Sequence, residues 1–211
     1  MTKHEINTSD EPIRLFKSDF LEFFTHVHPL VVLFLWLPVV VFFLWRGIAM
    51  WPTETGLGWL PAVWLLGLFI WTLAEYVLHR FLFHYPAHTP RQERIFFLFH
   101  GVHHAQPRSK TRLVMPPVLS IPLAALFYGL FVLVTGRLLG VGFLTAPLFA
   151  GFLTGYLIYD MLHYAMHHFQ MRKGYGKMIR RHHMQHHFQT PNERYGVSSP
   201  LWDGVFHTNP H

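Results

Sequence analysis

Residues 29–45 read PLVVLFLWLPVVVFFLW, seventeen positions without one charged side chain. A helix on the surface of a soluble domain carries a polar face at helical period, and this stretch has none. Three more uncharged apolar stretches follow, from Thr55 to Ala74, Leu113 to Gly136 and Leu138 to Tyr159. A helix needs about 20 apolar residues to cross a hydrocarbon core. Three of the four stretches reach that length, and the first does so if Arg46 snorkels to the interface. The pattern predicts an all-α membrane protein with four transmembrane helices in two hairpins, spanning about 29-50, 55-78, 114-136 and 138-162.

Composition agrees. Of 211 residues 51% are hydrophobic and only 13% charged, too few charges to cover a soluble domain of this length. The absence of cysteine excludes disulfides, thiolate zinc sites, cysteine-ligated iron-sulfur clusters and covalently attached c-type haem. Any metal must therefore be held by nitrogen and oxygen. Residues 1-28 read as a polar N-terminal arm without the apolar core of a secretory signal, and 29-211 as one integral-membrane domain.

The formal charge of +6 is explained by sidedness. The arm, the segment between the second and third spans, and the tail hold 15 of the 17 Lys and Arg residues. Only Arg46 and Arg137 fall in the two opposite connections. The positive-inside rule then places both termini and the middle segment in the cytosol, in a bacterial inner membrane or the endoplasmic reticulum, with no nucleic acid as partner.

Histidine, at 18 residues, outnumbers Lys and Arg combined. Ten histidines form four sets: His79 and His84; His100, His103 and His104; His163 and His167; His183, His186 and His187. All four sets fall on the side of the membrane that carries the bases. Spacings of three and four residues place imidazoles on one side of a helix, where the rings of a set can converge on a common ion. His79 and His84, five apart, do not share a helix face cleanly, so that helix is expected to end or distort between Phe81 and Pro86. Packing so many imidazoles without a cation would bury unpaired nitrogens at roughly 1 to 3 kcal/mol each. Ten nitrogens exceed the four that one zinc takes, which points to a histidine-rich di-metal centre in a cytosolic helical cap, with about five ligands per ion.

His168 and His182 offer alternative registers beside their neighbours. His4, His26, His28, His88, His207 and His211 read as exposed, interfacial or supporting residues. Glu75 and Asp160, a turn or less before His79 and His163, are placed to orient a metal-bound imidazole through its second nitrogen, or else to reach interfacial water from a helix end.

The quoted words HRFLFH (79–84), HGVHH (100–104), HYAMH (163–167) and HMQHH (183–187), with EYVLHRFLFH, HGVHHAQP, RLVMPP, GYLIYDMLH and LWDGVFH around them, resemble the fatty acid hydroxylase and sterol desaturase superfamily. They are closest to fatty acid 2-hydroxylases lacking the cytochrome b5 domain. The resemblance covers about Leu60 to Pro210. It implies that the ten histidines ligate two iron ions, with zinc possible in a purified sample, and that O2 is the co-substrate for hydroxylation at carbon 2 of a long acyl chain. Tyr159, Tyr164, Trp202 and Asp203 are then candidates to line the pocket or brace the centre, with ordinary structural contacts as the alternative. The 28-residue arm is too short for a cytochrome b5 domain, so the resemblance implies a separate donor such as a ferredoxin or a free cytochrome. Sterol or carotenoid oxidation shares the histidine words and is the alternative within the superfamily. A membrane cytochrome b would instead place histidine pairs within spans to grip haem.

Overall fold

The computed structural model describes residues 11–209, so Lys3, His4 and His211 lie outside the described residues. Among these residues every regular element is helical. The helices are α1 (Asp19–Phe23), α2 (Pro29–Ala49), α3 (Leu60–Val77), α4 (Pro90–Phe96), α5 (Val102–Ala105), α6 (Pro117–Phe131), α7 (Thr145–His168), α8 (Gly174–Phe188) and α9 (Leu201–Val205). Wide π turns extend three of them: Leu78–Phe83 after α3, Phe97–Gly101 after α4 and Val132–Leu138 after α6. Four helical stretches are long and apolar enough to cross a membrane: Pro29–Ala49, Leu57–Phe83, Pro117–Leu138 and Gly142–His168.

The chain divides into two compact units, and α3 and α7 contribute residues to both. The first comprises Leu30–Thr72 and Met115–Ile158. Its interior is aromatic: the Trp36 ring stands edge-on to Tyr156 at 5.7 Å, Trp71 to Phe152 at 5.1 Å, and Phe43 to Phe149 at 4.9 Å. The Trp36 indole N–H donates to the Ser120 hydroxyl at 3.2 Å, which satisfies its one polar atom away from water. Helices α3 and α7 cross with their backbones in contact. A Cβ on Gly67 would lie 2.0 Å from the Leu148 carbonyl oxygen, and one on Gly151 would lie 1.9 Å from that of Trp64. Only glycine fits at either position, the small-residue device by which membrane helices approach closely. The fourth membrane-length stretch is 72% buried against 11 to 22% for the others, so it is the central one. The others turn Phe34, Trp45, Leu65 and Leu126 outward, which suits lipid and not water.

The second unit comprises the segment to Pro29, Leu73–Val114 and Tyr159–His211. Helix α4 starts at a capping box, with Thr89 and Gln92 bonded reciprocally and Pro90 in the first turn. From Glu11 onward the N-terminal arm is fastened down. Gln106 accepts from the Ile13 N–H at 2.7 Å and donates to the Glu11 carbonyl at 2.8 Å, while the buried Arg112 guanidinium pairs with Glu22 and bonds the Ile13 carbonyl. The Val27 N–H reaches the Thr111 carbonyl at 2.8 Å. The segment that follows the second histidine word therefore carries the arm.

Candidate metal centre

The second unit gathers all ten histidines of the four words into two groups. Set one is His79, His84, His100, His104 and His186; set two is His103, His163, His167, His183 and His187. Within each set the five donor nitrogens lie within 4.8 Å of one another.

The grouping corrects the expectation that each triad converges on one ion. His100 and His104 join set one while His103 joins set two; His183 and His187 join set two while His186 joins set one. At 3.6 residues per turn, positions i and i+4 differ by about 40° around a helix, whereas i+3 lies about 60° to the other side of i. The i, i+4 pairs stay together and the i+3 histidine serves the other set. His79 and His84 are also brought together. The π turn closes with the His84 N–H on the His79 carbonyl at 3.0 Å, and its wider winding sets the two rings 4.9 Å apart at their centroids. The predicted distortion is thus what lets a five-residue spacing share a face.

Six Nε2–Nε2 approaches define the two points of convergence. In set one His79 meets His100 at 3.1 Å, His104 meets His100 at 3.0 Å, and His186 meets His84 at 3.0 Å. In set two His103 meets His187 and His163 at 2.9 Å each, and His167 meets His183 at 2.9 Å. Nitrogens bound about 2.1 Å from one ion stand about 3.0 Å apart when adjacent and about 4.2 Å when opposite. The close approaches match the adjacent spacing and the 4.8 Å limit leaves room for the opposite one, so the residues fit a metal ion in each set. Hydrogen bonding alone does not account for the arrangement, because each neutral imidazole has one N–H and five rings aim the same atom at one point. The sets adjoin through His104 and His187, whose rings stack at 4.1 Å.

Burial keeps these rings in the ligand-competent neutral form. It pushes His104 down to about 3, and His84, His100, His103, His183, His186 and His187 well below 6.5, with the neighbouring imidazoles adding to the effect.

The support around the imidazoles comes partly from candidates read in the sequence, Asp203 and Glu75, and partly from backbone carbonyls that the sequence did not single out. His79 Nδ1–H donates to the Tyr195 carbonyl at 2.5 Å, and His186 Nδ1–H to the Glu193 carbonyl at 2.6 Å. A carbonyl can only accept, so both rings carry their proton on Nδ1 and present an Nε2 lone pair. Two buried carboxylates hold the segment that bears those carbonyls. Asp203 accepts from the Tyr195 and Gly196 N–H groups at 2.8 Å each, from Thr208 at 2.7 Å and from His182 at 3.1 Å. Burial opposes its charge, but these bonds outweigh that and hold the carboxyl below 3.8. Glu75 accepts from the Val197 N–H at 2.6 Å, the Ser198 N–H at 2.7 Å and the Ser198 hydroxyl. The Tyr195 carbonyl orients His79, and Glu75 ties down the segment to which Tyr195 belongs.

Of the remaining candidates, Tyr159 is buried and stacks on His163 at 5.8 Å, Asp160 is buried, Tyr164 lies on His168 at 4.3 Å, and Trp202 stacks on Phe206 at 6.0 Å. His182 and His168 belong to neither set. Neither do His26, which bonds Thr111 at 2.8 Å, nor His28, His88 and His207.

The fatty acid hydroxylase family matches residues 64–208. A dihydroceramide fatty acyl 2-hydroxylase of Arabidopsis thaliana is 36% identical over 208 residues, 98% of this chain and 84% of that protein. The fatty acid 2-hydroxylase of Rattus norvegicus is 37% identical over 219 residues, 93% of this chain and 56% of that protein. The solved structure of full-length scs7p, of which only the hydroxylase domain is visible, superposes with a TM-score of 0.80 at 36% identity, covering 92% of this chain and 70% of that one.

Proposed function

The chain belongs to the fatty acid hydroxylase family, a family of hydroxylating enzymes, and on that premise we propose that it hydroxylates carbon 2 of a long acyl chain with O2 and two iron ions. The observation that carries this reading is the pair of five-imidazole sets. His79, His84, His100, His104 and His186 would hold one ion, and His103, His163, His167, His183 and His187 the other. Bound iron supplies the redox chemistry that oxidation of an unactivated C–H bond requires; zinc fits the same nitrogens without it.

The chain's own residues prepare the site. Burial keeps the imidazoles neutral, the Tyr195 and Glu193 carbonyls fix two tautomers, and Tyr159 braces His163. An acyl chain already lies in the bilayer, so four apolar helices admit it without passage through water. The names of the relatives support an acyl chain linked to dihydroceramide or ceramide, with a free fatty acid as the other form. Electrons come from a separate donor, since hydroxylation with O2 takes two that the acyl chain does not supply. Both termini and the metal centre face the cytosol, following the bases.

Lipid mass spectrometry of a host expressing the chain tests the reading. Wild type should raise 2-hydroxy acyl lipid, and His103→Ala and His186→Ala should not. Oxygenation at another carbon, or of a sterol, would refute it.

A further inference from the structure

Helix α8 has two working faces. Ile179, His182, His183, His186 and His187 are buried, three of them in the metal sets. Other positions of the helix line an open groove of about 760 Å³, completed by the segment after α7. Arg172, Lys177, Arg180 and Arg181 line it together with Met184 and Phe188, and no acidic residue does. Arg180 is set in place by the Met166 carbonyl, which accepts from its Nε at 2.9 Å. Phe188 is 51% exposed, yet its ring lies 5.9 Å from that of the buried His187 of set two. One side chain thus connects the groove surface to an imidazole of the centre.

Resting on the proposed function, we propose that this groove is the docking face for an acidic one-electron carrier protein that delivers electrons to set two. The requirement comes from the stoichiometry. Inserting one atom of O2 into a C–H bond and releasing the other as water (R–H + O2 + 2e⁻ + 2H⁺ → R–OH + H2O) takes two electrons that the acyl chain does not supply. An acidic carrier meets four bases around an apolar floor, the combination of charge steering and desolvated contact that brings a redox protein in fast and lets it leave. Only the thickness of α8, about 10–12 Å with side chains, then separates its surface from the imidazoles.

The test uses the full chain, loaded with iron in nanodiscs of neutral lipid, and an acidic [2Fe–2S] ferredoxin as the probe. Stopped-flow reduction of the iron should slow as salt rises. Lys177→Glu with Arg181→Glu, both exposed positions, should lower the second-order rate about 10-fold or more at low salt and flatten its salt dependence. Arg91→Glu with Arg94→Glu changes the net charge equally elsewhere in the unit and should leave most of the rate intact. Reduction by a neutral dihydrophenazine should be the same in all three proteins. Equal ferredoxin rates in wild type and the Lys177/Arg181 variant, or equal losses in both variants, would overturn the docking face. So would an effect of the groove charges seen only with anionic lipid present, which would assign the groove to lipid headgroups. Failure of the neutral reductant to reduce any of the proteins would instead count against the iron reading itself.

Discussion

The two metal sets are assembled alike and supported differently. Each takes two histidine pairs and one single: set one the pairs 79/84 and 100/104 with His186, set two the pairs 163/167 and 183/187 with His103. The words thus exchange one histidine crosswise, which locks the middle segment and α8 into both sets. Beyond the nitrogens the resemblance stops. Set one has two Nδ1–H groups donating to backbone carbonyls of one segment held by Glu75 and Asp203. In set two Nδ1 of His103, His183 and His187 is buried with no hydrogen-bond partner among the described residues, as is that of His84 alone in set one. Helical periodicity settles how many nitrogens each set receives; a single loop settles how firmly they are aimed.

The largest expected effect tests the crosswise exchange. His103→Ala should empty set two and His186→Ala set one, although each word sends its other two histidines to the opposite set. Metal affinity at the affected set should fall by more than the 10 to 100-fold typical of outer-contact changes, read by metal titration with one ion remaining per chain. Loss of metal from the set opposite to that assigned would break the comparison.

Next in size is Asp203→Asn, which keeps one acceptor oxygen but sets an NH2 donor against the N–H of either Tyr195 or Gly196. It should weaken set one about 10 to 100-fold and set two far less, seen as two separated steps in an iron titration followed by Mössbauer spectroscopy. Equal weakening would mean that the segment serves both sets. Glu75→Gln keeps one carbonyl acceptor and should fall at the low end, about 10-fold, in the same direction. In wild type, graded chelation should remove the ion of set two before that of set one.

The smallest difference between sets is expected at Glu22, because Arg112 follows a word that feeds both. Glu22→Ala leaves a buried guanidinium without its counter-charge and should cost about 1 to 3 kcal/mol of stability, read by thermal melting, with both sets affected alike. Burial opposes the Glu22 charge, but bonds from the Phe16 and Leu15 N–H groups, His26 and Arg112 outweigh it and hold the carboxyl below 4.5. A depressed acid stabilises the fold above its unfolded pKa and loses that contribution as pH falls through the folded value. The arm should therefore stay protected from hydrogen exchange at neutral pH and loosen only below about 4.5.

Residue by residue, legibility followed where the information sits. Apolar runs of membrane length and histidines at three- and four-residue intervals are properties of side chains in order, so the four long helices and the ten clustered imidazoles could be read directly. The role of Glu75 could not. Its position one turn before His79 suggested a partner on its own helix, whereas its partners are Val197 and Ser198, more than 120 residues away. Tyr195 and Glu193 were invisible for another reason: they act through backbone carbonyls, which every residue possesses.

By itself the sequence determined the solvent of the helices, the thiolate-free chemistry of the centre and the supply of imidazole donors, because hydrophobic length, the lack of cysteine and the histidine count are sums over side chains. Only the tertiary structure decided which donors converge. Spacing within a word decides which of its histidines stay together; which words meet depends on the rotation of each helix and on a π turn at His79, set by packing between segments distant in the chain.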